Sequence, residues 1–166
     1  ARSPLWRLLW NAHQQKCGGP GKFPPADEFL ENATNVYHFL QEQLLTASNT
    51  RHLEDLCTDD LWPTVRSVGA DYHEARREFG DNLAINWAST NAYIIGLGLP
   101  EERKQYGPGQ TVVVGARFFS RSTLSYVPSQ VRHGIDELDF VSTWDAETGV
   151  DQWKIARIGG PVTPSE

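Results

Sequence analysis

The chain has 166 residues, 39% of them hydrophobic, with six tryptophans, seven phenylalanines and five tyrosines. That is enough for one domain with a genuine core, and its apolar stretches are too short and interrupted for a transmembrane helix. The formal charge of −6 argues against a phosphate backbone as principal partner, because nucleic-acid affinity rests on clustered Lys and Arg.

That charge is unevenly placed. Residues 1–26 carry Arg2, Arg7, Lys16 and Lys22 and no acidic residue, whereas the remainder is at −10. The segment Leu5-Trp6-Arg7-Leu8-Leu9-Trp10 suits a short helix with Pro4 in its first turn. It runs into Cys17-Gly18-Gly19-Pro20-Gly21-Lys22-Phe23-Pro24-Pro25, a Gly/Pro run unsuited to regular structure. Residues 1–25 therefore read as an arm plus linker outside the core, followed by a domain over 26–160 and a tail over 161–166. The arm's apolar residues do not fit one narrow stripe. Leu5, Trp6, Leu9 and Trp10 are read as partner contacts, with Trp as anchor. A peripheral membrane contact and packing back onto its own domain are the alternatives.

Asp27 caps a helix expected to run to about Thr46, with Phe29, Ala33, Val36, Tyr37, Leu40 and Leu44 on one stripe. After Ser48-Asn49-Thr50 a second helix buries Leu53, Leu56 and Cys57. Thr58 caps a third, with Asp59 and Asp60 at the positive end of its dipole and Leu61, Val65 and Val68 facing inward. From Asn82 the period changes. Leu83–Trp87 and Ala92–Leu99 look like strands, with Gly96 and Gly98 marking a bulge or bend. Glu101–Gln110 reads as a polar loop. Thr111–Tyr126 is the longest strand, with Val112, Val114, Ala116 and Phe118 on one face and Val113, Gly115, Arg117 and Phe119 on the other. Leu138–Trp144 and Asp151–Ile158 form a closing hairpin around the turn Asp145–Gly149. On strand parity, Trp153 and Ile155 should face the helices. Helices first, then strands, predicts an α+β domain: three helices on one face of a bent antiparallel sheet of about four strands.

Chemistry is sparse. There is no Walker loop, HExxH or GxSxG, and Gly96-Leu97-Gly98 lacks the third glycine of a dinucleotide fingerprint. Cys17 and Cys57, without a CxxC or a His cluster, read as free thiols. Asn32-Ala33-Thr34 matches a glycosylation sequon inside a predicted helix. Asp71, His73 and Glu74 have metal-ligating side chains, but Arg76, Arg77 and Glu78 beside them make a solvated helix the better reading. No cofactor or metal is expected. Arg117, Phe119 and Arg121 alternate on one strand face, and this is read as a protein-contact surface.

The ending Asp151-Gln152-Trp153-Lys154-Ile155-Ala156-Arg157-Ile158, a W-x-I-x-x-I strand after a long hairpin, resembles the last strands of the nuclear-transport-factor-two-like superfamily. Within it, the likeness is to domains related to the membrane anchor of the mitochondrial import motor and the matrix-AAA-protease-interacting protein. The resemblance covers about residues 27–158 and implies a cone of three helices on a strongly bent sheet. Cones of this kind host acid/base catalysis at their mouth, for which Asp55, Asp59, Asp60, Tyr37, His38 and Tyr93 are the candidates. Each has a plainer role, in a helix start, an ion pair or the core stripe.

The resemblance further implies a non-catalytic accessory or scaffold subunit that acts by protein docking. The expected setting is a mitochondrial inner-membrane-associated complex, a respiratory complex or ATP synthase, on the matrix side. The chain contains no methionine, and the resemblance implies a removed presequence. A lyase or isomerase using the cone as a pocket, or a mitoribosomal or import-machinery component, is the alternative.

Overall fold

The computed structural model describes residues 5–46, 51–79, 83–98 and 111–159. Helix α1 (Leu5–Lys16) leads to α2 (Ala26–Thr46), a 3-10 turn at Arg51–Leu56 and α3 (Trp62–Phe79). Strands β1 (Ile85–Gly98), β2 (Thr111–Leu124), β3 (Val127–Asp145), the two-residue β4 (Gly149–Val150) and β5 (Lys154–Gly159) follow. All strand pairings are antiparallel, in the order β1-β2-β3 with β4 and β5 on the far side of β3. The class is α+β, helices then a curved antiparallel sheet, as the sequence predicts.

The core lies between the helices and the inner sheet face. α2 contributes Phe29, Ala33, Tyr37 and Leu40, the stripe that its periodicity marks. β2 contributes Val112, Val114, Ala116 and Phe118, each at most 2% exposed. Ile155 is 1% exposed, and Trp153 packs edge-on against Phe29 at 5.1 Å, so both face the helices. Thr58 begins the third helical segment as expected, its Oγ1 accepting from the Leu61 N–H at 3.4 Å. Val65 is buried, but Val68 is exposed, because α3 continues past Gly69 with a mostly polar surface.

Two expectations about strands change. The stretches read as two separate strands are joined in one: β1 runs unbroken from Ile85 to Gly98, with register shifts at Trp87/Ser89 and Ile94/Gly96. The segment Val127–Glu137, unassigned by pattern, is the first half of β3 and pairs with β2 along its length. The loop at 101–110, the helix stop at 48–50 and the tail at 161–166 lie outside the described residues.

The largest correction concerns the arm. Trp10 is 0% exposed, with Cys17 and Phe23 at 2% and 1%. Trp10 lies 5.1 Å from Phe23 and 5.2 Å from Phe29, centroid to centroid. The Gly/Pro run is held by side-chain donors: Trp10 Nε1–H to Pro24 O (2.9 Å), Gln14 Nε2–H to Phe23 O (2.9 Å) and Trp144 Nε1–H to Cys17 O (3.0 Å). The run also closes backbone turns of its own, with Lys22 N–H and Phe23 N–H both donating to Gly19 O at 3.0 Å, and the two indole N–H groups and the Gln14 amide satisfy carbonyls that these turns leave over. It is a built wall of the domain, so the reading of residues 5–25 as a segment outside the core does not hold.

Candidate functional site

The outer face of the sheet carries the groups that the core does not absorb. Phe118 points inward, so Phe119 points out, and the register sets its neighbours: Asn91 and Ile135 lie across from it, Tyr93 and Glu137 across from Arg117, and His133 across from Arg121. Phe119, Ile135 and Ile95 are 39%, 41% and 43% exposed. Tyr93 meets Phe119 nearly edge-on at 5.8 Å. Together they form an apolar band across β1, β2 and β3, rimmed by polar residues as interaction surfaces are.

An ionic ladder borders the band. Arg117 donates to Glu137 Oε2 through Nε (2.8 Å) and Nη2 (2.5 Å). Arg157 Nε–H donates to Asp139 Oδ2 at 2.8 Å, and its Nη2 lies 3.7 Å from Glu137 Oε1. Asp139 is 7% exposed and reaches this position because Gly115 faces it: a Cβ there would sit 3.0 Å from Asp139 Oδ1 and 3.4 Å from Ile95 Cγ1. Past the other edge of the band stand Arg121 and His133, both exposed.

On the inner face the catalytic candidates Tyr37 and His38 come together, but as struts. The Tyr37 hydroxyl donates to Asp136 Oδ2 at 2.6 Å and lies 3.1 Å from Ser120 Oγ, tying α2 to β2 and β3. Its ring stacks on Phe118 at 4.5 Å. Burial, reinforced by the hydrogen bond to Asp136, pushes its pKa far above the ordinary value. The His38 ring stacks on Trp87 at 4.1 Å, with Nε2 2.7 Å from Thr90 Oγ1. Burial lowers its pKa, and the nearby Glu42 carboxylate opposes this. Glu42 in turn accepts from Trp87 Nε1–H at 2.8 Å.

A raised folded pKa means the linked stability is complete below the unfolded value of about 10 and is lost progressively as pH rises from there through the higher folded value. Wild-type protein is therefore expected to lose stability steeply above about pH 10, and Tyr37→Phe to flatten that loss. At neutral pH Tyr37→Phe should cost about 1–3 kcal/mol, as expected for a hydrogen bond to a charged group. Thermal melts of both proteins from neutral to alkaline pH check this.

A third feature sits beneath the Gly/Pro run. A pocket of about 300 Å³ is walled by Phe23, Phe29, Val36, Phe140, Trp153 and Ile155, with Lys22, Glu28 and Asn32 at its edge. Lys22 Nζ donates to the Ala146 carbonyl, and Lys22 O accepts from Val150 N–H at 2.9 Å, so the closing hairpin fixes this edge.

The sequence-predicted residues divide accordingly. Arg117 and Phe119 stand together on the outer face. Trp10 is in the core and is corrected as a partner contact, whereas Leu5 (59%) and Leu9 (53%) are exposed on α1 and Trp6 is half-buried against it, under the Arg7 guanidinium. Asp55, Asp59 and Asp60 are exposed, and Tyr93 belongs to the outer band. Among the described residues no group of three or more His, Cys, Asp or Glu side chains is placed to hold a metal. Cys17 and Cys57 are buried free thiols, each with its pKa raised chiefly by burial, Cys57 to about 11. Ile95, Ile135, Glu137, Asp139 and Arg157 were not singled out from the sequence. The period-two pattern Val131, His133, Ile135, Glu137 is the signal that would have placed two of them.

No protein-family model and no curated protein matches the chain. Among solved structures it is similar to the crystal structure of CagV, a VirB8 homolog of the T4SS from Helicobacter pylori strain 26695. The match has 10% identity and a TM-score of 0.35, and covers 78% of this chain and 99% of that one. A likeness at that level transfers no function. None of these comparisons ties the chain to a mitochondrion, and the expected mitochondrial setting is corrected accordingly. The matrix-side inner-membrane location, the accessory role in a respiratory complex or ATP synthase, and the mitoribosomal or import-machinery alternative are dropped. What stands is the architecture, an α+β fold of helices followed by a curved antiparallel sheet.

Proposed function

We propose that the domain is a non-catalytic protein-docking module whose contact surface is the outer sheet face. The observation that carries this reading is the band of Ile95, Tyr93, Phe119 and Ile135 on one face of three paired strands, flanked by guanidinium groups. Among the described residues of this face, the three guanidinium groups of Arg117, Arg121 and Arg157 stand with the two carboxylates of Glu137 and Asp139, an excess of one positive charge on a chain that is acidic overall. The complement of this face is a protein segment bearing aromatic or aliphatic residues among Asp and Glu.

The inner face supports the non-catalytic part of the reading. The Tyr37 hydroxyl is held by Asp136 and Ser120, and the ionisable groups of the pocket, Lys22 and Glu28, stand at its edge where water reaches them. Lys22 and Glu28 are not desolvated, and the desolvated Tyr37 hydroxyl is already engaged by partners within the protein, which supports a structural rather than a proton-transfer role.

Selection of a displayed peptide library against the purified domain tests this directly. The expected binders are acid-rich with apolar residues, weaken as salt is raised, and lose at least tenfold in affinity to Phe119→Asp and to Arg121→Glu. Both positions are exposed, so melting temperatures should change little. Basic binders, or binding indifferent to both substitutions, would refute the assignment.

A further inference from the structure

The pocket under the Gly/Pro run opens on the helix side of the sheet, apart from the outer face, and its wall is finished before any ligand arrives. Trp10, Gln14 and Trp144 donate to the carbonyls of Pro24, Phe23 and Cys17, and Val150 N–H donates to Lys22 O. Its interior is aromatic: the Trp153 ring stands edge-on to Phe29 at 5.1 Å and to Phe23 at 6.0 Å, and Phe29 is edge-on to Phe140 at 5.5 Å. A preformed apolar cavity with a few polar groups at its mouth is the usual form of a small-ligand site, and it spares the ligand the cost of ordering a loop. At about 30 Å³ per non-hydrogen atom, a figure borrowed from liquid water, its volume suits a group of roughly ten such atoms.

The mouth has a definite polarity. Glu28 and Asn32 are four residues apart on α2 and therefore lie on the same side, one turn from each other. Among the described residues neither side chain has a hydrogen-bond partner, and both are exposed. Glu28 offers only acceptors when ionised, and Asn32 offers an amide oxygen. The lysine of the mouth is turned away: Lys22 Nζ already donates to the Ala146 carbonyl.

We propose that this pocket binds a compact aromatic or branched apolar group tipped with an ammonium, its body among Phe29, Phe140 and Trp153 and its N–H donors on Glu28 and Asn32. A free arylalkylamine and the N-terminal phenylalanine of a peptide present the same chemistry, and the two are separable by experiment.

The test is titration of the whole chain, by calorimetry and by chemical-shift mapping, with 2-phenylethylammonium, 2-phenylethanol and 3-phenylpropionate at neutral pH. A Phe-Gly-Gly tripeptide with a free amino terminus forms the peptide arm. The ammonium is expected to bind at least tenfold more tightly than the carboxylate, with the alcohol between them. Glu28→Gln should erase the preference for the ammonium and leave the alcohol's affinity unchanged. Asn32→Trp, at an exposed position, should fill the mouth and exclude all three. The tripeptide binding more tightly than the amine would identify a peptide terminus as the source, and the reverse a free amine. Failure of every probe to saturate, equal binding of the carboxylate, or indifference to Glu28→Gln overturns the proposal. None of these outcomes bears on the outer face.

Discussion

Trp10→Ala is expected to destabilise the whole domain by about 3–5 kcal/mol, the usual cost of emptying a buried aromatic site. Trp10 is fully buried, packs on Phe23 and Phe29, and donates to the Pro24 carbonyl. Its removal leaves a cavity and an unsatisfied carbonyl together, so the effect should fall at the upper end of that range. Deleting residues 1–16 should do at least as much, because it also withdraws Gln14 from the Phe23 carbonyl. Urea denaturation of both variants decides the matter. A midpoint unchanged in the deletion would show that α1 is an independent arm after all. Leu5 and Leu8, at 59% and 64% exposure, serve as the internal control, since their replacement by Gln should change stability little.

Gly149→Ala is the second large effect. Gly149 has φ of +83°, which an L side chain rarely adopts, and its added Cβ would fall 2.5 Å from Lys22 Cα and against the Lys22 carbonyl. The backbone conformation alone should cost about 1–3 kcal/mol, and the collision adds to it, because the obstacle is main chain that Val150 N–H holds in place. Gly19 separates the two contributions. Its φ is +94°, but nothing lies within 4 Å of its would-be Cβ. Gly19→Ala should therefore show the conformational cost by itself. Equal losses at the two positions would mean that the hairpin moves aside and the seam between Lys22 and Gly149 is loose.

Where one element repeats its period over many residues, the sequence was enough. The stripe from Phe29 to Leu40 and the alternation from Val112 to Phe119 each lie within a single element, and both faces of β2 fall where parity puts them. Arg117 and Phe119 were legible for the same reason. The arm misled because its signal is not local. A Gly/Pro run is flexible when free, and whether it is free depends on donors from Trp10, Gln14 and Trp144, the last of them 127 residues away. The rest of the outer band was missed because Pro128 and Gly134 interrupt the pattern of early β3, and because Ile95 sits beside a register shift that no periodicity reports. The aromatic pocket draws on α2, the 17–24 run and the closing hairpin together, and none of these segments is distinctive by itself.

The seam between residues 17–22 and 144–150 also bears on how the domain comes into being. Trp144 reaches back to Cys17, and Lys22 to Ala146, across 127 and 124 residues. A chain emerging from the ribosome exposes Phe23 and Phe29 long before Phe140 and Trp153, which pack on them, have been made. Such delayed, non-local closure makes for slow folding and leaves apolar surface open to aggregation. The first thirty residues are thus where a holding chaperone would be needed. A chain stopped short of Trp153 would leave the same aromatic residues uncovered permanently, so premature termination near the end should yield an insoluble product rather than a nearly complete, working domain.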